Sequence, residues 1–255
     1  MNPVFVRGLG LWTPGFPSPE AWCFAGQDPG VTKPTAGLLK GPLKRRSSLV
    51  TRMAVEVYTQ AATQAGCGPS SVPTVWATAH GEHSTALNLL EMMNEGDGKV
   101  SPAKFHSSVH NTPGGYASIA SGNVAQSTTL TGGSELVSAA LIEAVCLVES
   151  LKTDVIVIFS DEALKPPFDI SGSELPLAIA FCLGREPAGD LPQISCQQDN
   201  GSGLPADEKF GTLHVSAAIP LLERVTRRIP GRVAIEFEEN GTELVWTVQL
   251  EPLRE

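Results

Sequence analysis

The chain has 255 residues, with 18 Lys and Arg against 27 Asp and Glu, a formal charge of −9 and a pI near 5.1. That balance leaves no positive field for a phosphate backbone beyond the short run Lys40, Lys44, Arg45 and Arg46, so nucleic acid is a poor partner. A hydrophobic fraction of 42% with 18% charged residues is that of a folded globular chain rather than a disordered one, and 25 Gly with 20 Pro imply many turns.

In chain order, Val4 to Trp12 reads VFVRGLGLW, a strand, followed by a loop with three prolines that ends in a short helical turn. Residues 26–46, rich in Gly, Pro, Lys and Arg, are expected to form a surface excursion or interface segment. From Ser47 to Ala65 the residues Val50, Met53, Ala54, Val57, Tyr58, Ala61, Ala62 and Ala65 trace one helical face, and Gly66 supplies a stop. A strand over Thr74 to Ala79 then delivers His80, Glu82 and His83 at its carboxyl end. Imidazoles flanking a carboxylate raise the question of a metal, but the spacing matches no zinc motif, so loop polarity is the stronger reading and neither metal nor cofactor is expected.

A second amphipathic helix spans Thr85 to Asn94 and closes on GDGK. The segment Phe105 to Val148 then concentrates the features of a buried strand-turn-helix site. A turn at Pro113-Gly114-Gly115 precedes a short helix over Tyr116 to Gly122, and Thr128 to Thr131 form a brief strand. Gly132-Gly133 offer unusual backbone angles, and Ser134 is placed to N-cap a helix running to Leu151. In that helix Val137, Ala140, Leu141, Ala144, Val145 and Val148 share a face.

Asp154 to Ser160 (DVIVIFS) and Leu175 to Gly184 read as strands covered on both faces, and the alternation with helices predicts α/β layering. Residues 185–210 change composition and read as a linker or excursion. Beyond them come a short strand at Thr212 to Ala217, a helix around Pro220 to Ile229, and a hairpin of RVAIEFEE and ELVWTVQL turning on Asn240-Gly241. The expected domains are therefore 1–184, a linker at 185–210 and a small β-rich appendage at 211–255. No run approaches the roughly eighteen apolar residues of a membrane span, and the start lacks a signal-peptide pattern. Cysteines at 23, 67, 146, 182 and 196 are odd in number and form no CxxC pair, which fits a reduced cytoplasmic setting.

Several of these blocks, in order, resemble the amino-terminal half of a β-ketoacyl synthase of the thiolase-like fold. VFVRGLGLWTPG looks like its opening strand, RRSSLVTRMAVEVYTQAATQAG like its first long helix, and HNTPGGYASIASG like the approach to the nucleophile, over residues 3–184. With SVHN and FSDEALKPPF, the chain resembles more narrowly the short ketosynthase-like chain length factors of aryl polyene and xanthomonadin-type pigment synthesis. The resemblance implies a layered α/β/α half-fold.

It also implies a lost active site. An active synthase carries a cysteine at a helix N-terminus, where the dipole favours the thiolate; counting along the matched blocks places Ser134 there. Cys146 lies about 18 Å further along the helix, at 1.5 Å per residue. The two catalytic histidines of the second half have no counterpart in matched sequence, and His106 and His110 precede the turn as packing or hydrogen-bonding groups. The expectation is a non-catalytic subunit, with no activity of its own, that pairs with a full-length synthase and shapes its acyl pocket, meeting an acyl carrier protein only indirectly. Asn111, Gly115, Tyr116, Gly133, Ser134, Glu135, Leu136 and Val137 are its candidate pocket or interface residues, with Leu136 and Val137 as length determinants. Two alternatives stand beside it. One is a serine hydrolase or acyltransferase using Ser134, against which the second glycine of a GxSxG elbow is missing and Glu135 opposes a developing oxyanion. The other is a stand-alone acyl-binding protein.

Overall fold

The computed structural model describes residues 2–95, 100–164, 168, 175–199, 210, 213–236 and 243–249. Among these residues, eight strands form one mixed sheet. They are β1 (Val4–Trp12), β2 (Thr74–Ala77), β3 (Ser127–Leu130), β4 (Val155–Asp161), β5 (Leu177–Gly184), β6 (Gln193–Asp199), β7 (Gly231–Glu236) and β8 (Glu243–Gln249). Their order across the sheet is β3-β2-β4-β5-β1-β6-β8-β7. β2 runs parallel to both β3 and β4, with Val75 opposite Thr128 and Val157, while the remaining pairs are antiparallel. Every residue of β4 and β5 is buried, because helices cover both faces there, and this is why these strands read as unbroken apolar runs.

One face is covered by α2 (Leu49–Ala65). Ser48 caps it by accepting from the Thr51 N–H at 3.0 Å, and Gly66 ends it in the left-handed conformation at φ 67°. All eight predicted face residues of this helix are buried. The helix lies unusually close to β1: a Cβ on Gly8 or Gly10 would collide with the backbone carbonyls of Ala61 and Val57. Beyond Phe5, β1 has no partner in β6, and Gln64 and Gln60 of α2 accept from the Leu9 and Leu11 N–H groups at 2.7 and 3.0 Å instead. Close packing and satisfied strand donors are thus one arrangement.

The other face carries α6 (Leu136–Leu151), a 3₁₀ turn (His214–Ala218) and α7 (Ile219–Arg227). The predicted stripe from Val137 to Val148 is buried against Val155, Val157, Phe159 and Phe181, whereas Cys146 is exposed. The other helices among the described residues are a π-helical turn (Ala21–Ala25), α1 (Gly41–Arg46), α3 (His83–Glu95), α4 (Pro102–His106) and α5 (Thr112–Ser121).

Several expectations are corrected. Within 26–46, Ala36 and Leu39 are buried and residues 41–46 form α1, so the segment is not a plain surface excursion. The 185–210 segment contains β6, which joins the sheet between β1 and β8 and is therefore not simply a linker. Residues 214–218 are 3₁₀ rather than strand, since Val215, Ser216 and Ala218 are buried together against α6. The hairpin pairs as expected, Val233 opposite Trp246, while its Asn240-Gly241 turn and the GDGK segment lie outside the described residues.

Candidate functional site

The turn leading into α6 lies at the carboxyl end of β3, on the same edge as the ends of the parallel strands β2 and β4. Its geometry differs from the expectation in two ways. Neither Gly132 nor Gly133 has a positive φ, and the helix N-cap is Glu135, not Ser134. Glu135 folds its carboxylate back over the turn, where Oε1 accepts from the Gly133 N–H at 3.2 Å. Its own backbone N–H and that of Gly133 hold this carboxyl below the usual glutamate range. A carboxylate therefore occupies the donors that the turn would offer an anion. Ser134 is half-buried, and no hydrogen bond from it is found among the described residues.

Beside this turn the fold gathers histidines that the sequence scatters. The rings of His80 and His83 lie 6.3 Å apart, those of His80 and His214 also 6.3 Å, and His83 meets Phe168 edge-on at 5.6 Å. Gly81, at φ 58°, would bring a Cβ within 2.8 Å of the His110 ring. Burial lowers the pKa of His80, opposed by the Asp161 charge and assisted by its histidine neighbours. Asp161, fully buried at the end of β4, accepts from the Thr78 hydroxyl at 2.6 Å and from the Ala79 and His80 N–H groups at 2.9 and 3.0 Å. These bonds fix the loop that follows β2, although burial still raises the Asp161 pKa. His106, by contrast, stands on exposed α4. Among the described residues no group of three or more His, Cys, Asp or Glu is arranged to hold a metal.

Between these histidines and α2 sits Glu82, 2% exposed. Its Oε1 accepts from Ser48 at 2.7 Å and Thr51 at 2.6 Å, and its Oε2 from Thr85 at 2.9 Å. Burial raises its pKa, and the three hydroxyls offset part of that rise. Glu82 opens onto a cavity of about 960 Å³ on the α2 and α5 side of the sheet, walled by α1, α3, α4 and α5 and by Glu162 and Ala163 beyond β4.

Of the eight sequence-predicted site residues, Tyr116 alone lines this cavity; it is 8% exposed, with its hydroxyl 3.4 Å from Ser107. Asn111 is the exposed N-cap of α5. Gly114 and Gly115 are not a turn but the first turn of that helix, and Gly114 is small because the Trp76 indole would lie 2.9 Å from a Cβ there. Leu136 and Val137, at the start of α6, are 1% and 0% exposed in the core and do not line this cavity. In the sequence the cavity shows only as the helix break between Asn94 and Thr112, which leaves α4 and α5 as separate short walls.

The residues 20–234 match the family model of the β-ketoacyl synthase N-terminal domain, so the match runs well past the Gly184 limit of the sequence resemblance. A comparison with curated proteins finds no match. Among solved structures, the chain is similar to the ketosynthase ApeO in complex with its chain length factor ApeC from Xenorhabdus doucetiae, at 19% identity and TM-score 0.72 over 97% of this chain and 100% of that one. It is similar to the ishigamide ketosynthase/chain length factor at 13% identity and TM-score 0.75, over 98% and 100%. A β-ketoacyl synthase from Burkholderia phymatum STM815 is similar at 14% identity and TM-score 0.58, over 79% of this chain but 66% of that one. The layered α/β architecture is thus that of the thiolase-like ketosynthases, and the chain belongs to the β-ketoacyl synthase N-terminal domain family.

Proposed function

We propose that this protein is a non-catalytic, chain-length-factor-type subunit that pairs with an active β-ketoacyl synthase in the cytoplasm and helps shape its acyl pocket, in aryl polyene-type biosynthesis. The observation that carries this reading is the turn before α6. Ser134 stands at the position that the resemblance gives to the nucleophilic cysteine, and the Glu135 carboxylate accepts the Gly133 N–H beside it. A negative group on the helix N-terminus opposes both a thiolate and an oxyanion. Similarity in fold to ketosynthase/chain length factor complexes supports the pairing. So does an open sheet edge at β3, beside which Ile119 and Val124 are 67% and 96% exposed. In this reading Asn111 and Gly115, on or next to α5, face the partner, Tyr116 lines the cavity behind that helix, Gly133, Ser134 and Glu135 form the remnant turn, and Leu136 and Val137 act by supporting it from the core.

The test is reconstitution. Co-expressed with a ketosynthase, the chain should co-purify with it, and condensation should need both proteins yet survive Ser134→Ala. Condensation or acyl hydrolysis that disappears with Ser134→Ala would instead select the serine-dependent reading, for which the nearness of His214 to Glu135 is the supporting feature.

A further inference from the structure

The five cysteines form no paired motif in the sequence, yet the fold brings two of them together. Cys182 lies on β5, opposite Gly8 of β1 and Ile156 of β4, and is fully buried on the face of the sheet that α2 covers. Cys67 follows Gly66, the left-handed residue that ends α2, and is half-buried. Their sulfurs are 4.0 Å apart, although 115 residues separate them along the chain.

Gly8 is what allows this approach. A Cβ there would collide with the Ala61 carbonyl and lie 2.9 Å from the Ala65 amide nitrogen, so the last turn of α2 rests directly on the sheet beside Cys182. Gly66 then turns the chain back, the Cys67 N–H bonds the Ala62 carbonyl at 3.1 Å, and the Cys67 sulfur reaches β5. A disulfide holds its sulfurs about 2 Å apart, so the pair has about 2 Å left to close. Residues 66–73, which link α2 to β2 outside any helix or strand, are placed to supply that movement.

The two thiols also differ in character. The hydrogen bond with Cys182 holds the Cys67 thiol below the usual cysteine range, assisted by the Arg7 guanidinium and opposed by burial and the Asp154 carboxylate. Contact with Cys67, together with burial, pushes the Cys182 thiol up. Cys67 is thus the group that ionises nearer the surface, and Cys182 is the protonated partner behind it.

We propose that Cys67 and Cys182 are an oxidation site, at which a peroxide converts the pair to an intramolecular disulfide that fastens the end of α2 to β5. The Cys67 thiolate attacks the peroxide, forming an S–O bond as the O–O bond breaks, and the departing hydroxide takes up a proton and leaves as water. The Cys182 sulfur then attacks the Cys67 sulfenic acid; the S–S bond forms, the S–O bond breaks, and the Cys182 proton leaves with the hydroxyl as a second water. Both sulfurs are oxidised and the peroxide is reduced. A thiol reductant reverses the bond by exchange, so in a reducing setting both residues remain thiols until an oxidant arrives. Neither residue belongs to the turn before α6 or to the cavity wall, and the site does not depend on pairing with a synthase.

The experiment uses the full-length protein, reduced with dithiothreitol, desalted, treated with hydrogen peroxide and then alkylated. Mass spectrometry should show a monomer that has lost two hydrogens, and trypsin should release peptide 53–99 cross-linked to peptide 153–185. Dithiothreitol should restore both thiols. Cys67→Ser should abolish the cross-link, whereas Cys182→Ala should leave a Cys67 sulfenic acid that dimedone traps; Cys146→Ser, at the exposed cysteine of α6, should leave the cross-link unchanged. The oxidised protein should melt at least about 5 °C above the reduced one, a difference that Cys67→Ser removes. Oxidation confined to Cys146, a cross-link between other cysteines, or dimedone capture away from Cys67 in Cys182→Ala overturns the proposal. A Tm that is unchanged or lower on oxidation equally overturns it, since the bond would then not fasten the native arrangement.

Discussion

Replacing Glu82 tests the centre of the site most directly. Its carboxyl receives three hydroxyl bonds at 2.6–2.9 Å, from Ser48 and Thr51 of α2 and Thr85 of α3, and so ties the starts of two helices to the loop after β2. Bonds to a charged acceptor contribute about 1.5–3 kcal/mol each, and burying the carboxylate costs back several kcal/mol. The expected net loss for Glu82→Ala is therefore about 3 kcal/mol, which for a chain of this size lowers Tm by roughly 6–12 °C. Glu82→Gln keeps the shape and one strong acceptor, and should cost about 1 kcal/mol. The pH dependence carries a second signature. Burial raises the Glu82 pKa above its unfolded value, so in that window the folded state holds more protons and stability falls as pH rises. Glu82→Gln should flatten that fall, leaving the part contributed by Asp161, whose pKa is also raised by burial. Thermal unfolding followed by circular dichroism from pH 4 to 8, on the order of half a unit per step, measures both effects. A Glu82→Ala protein with an unchanged Tm, or a Glu82→Gln protein with the parent slope, would refute the account of this carboxyl.

Gly10→Ala should destabilise by about 1–3 kcal/mol in chemical denaturation, because its methyl meets the Val57 carbonyl rather than a movable side chain; an unchanged midpoint would mean that α2 is not so closely seated. Asn123→Ala should cost about 2 kcal/mol, since the buried amide donates to the Val72 carbonyl at 2.8 Å and accepts the Ala125 N–H at 2.9 Å, fastening the approach to β3. Breaking the exposed Arg228–Asp190 pair by Asp190→Asn should change stability by less than about 0.5 kcal/mol. Thr129→Pro, on the edge strand, should abolish co-purification with a synthase while leaving the far-UV spectrum of the chain intact, if pairing extends the sheet at β3.

Local pattern was enough to place most of the elements around the site. The spacing of Val50 to Ala65 fixed the buried face of α2, the caps Ser48 and Gly66 fixed its ends, and unbroken runs in β4 and β5 announced burial on both faces. These are short-range consequences of periodicity and turn chemistry. The blocks that carry the family resemblance are of the same kind, and they extend to the serine at the head of α6. What the sequence could not decide were features made by residues far apart. Gly114-Gly115 read as a turn, yet they lie in the first turn of α5, and Gly114 is there because Trp76, some forty residues upstream, leaves no room for a side chain. Ser134 read as a cap, yet the helix starts one residue later, after Glu135, whose carboxylate turns back to the Gly133 N–H rather than capping the helix. Leu136 and Val137 read as pocket walls, but α6 turns them into the core beneath the sheet. The gathering of His80, His83, His110 and His214, and the open cavity lined by five helices beside Glu82, depend on the order of strands across the sheet. Their partners are set by tertiary packing, to which spacing along the chain gives no direct access.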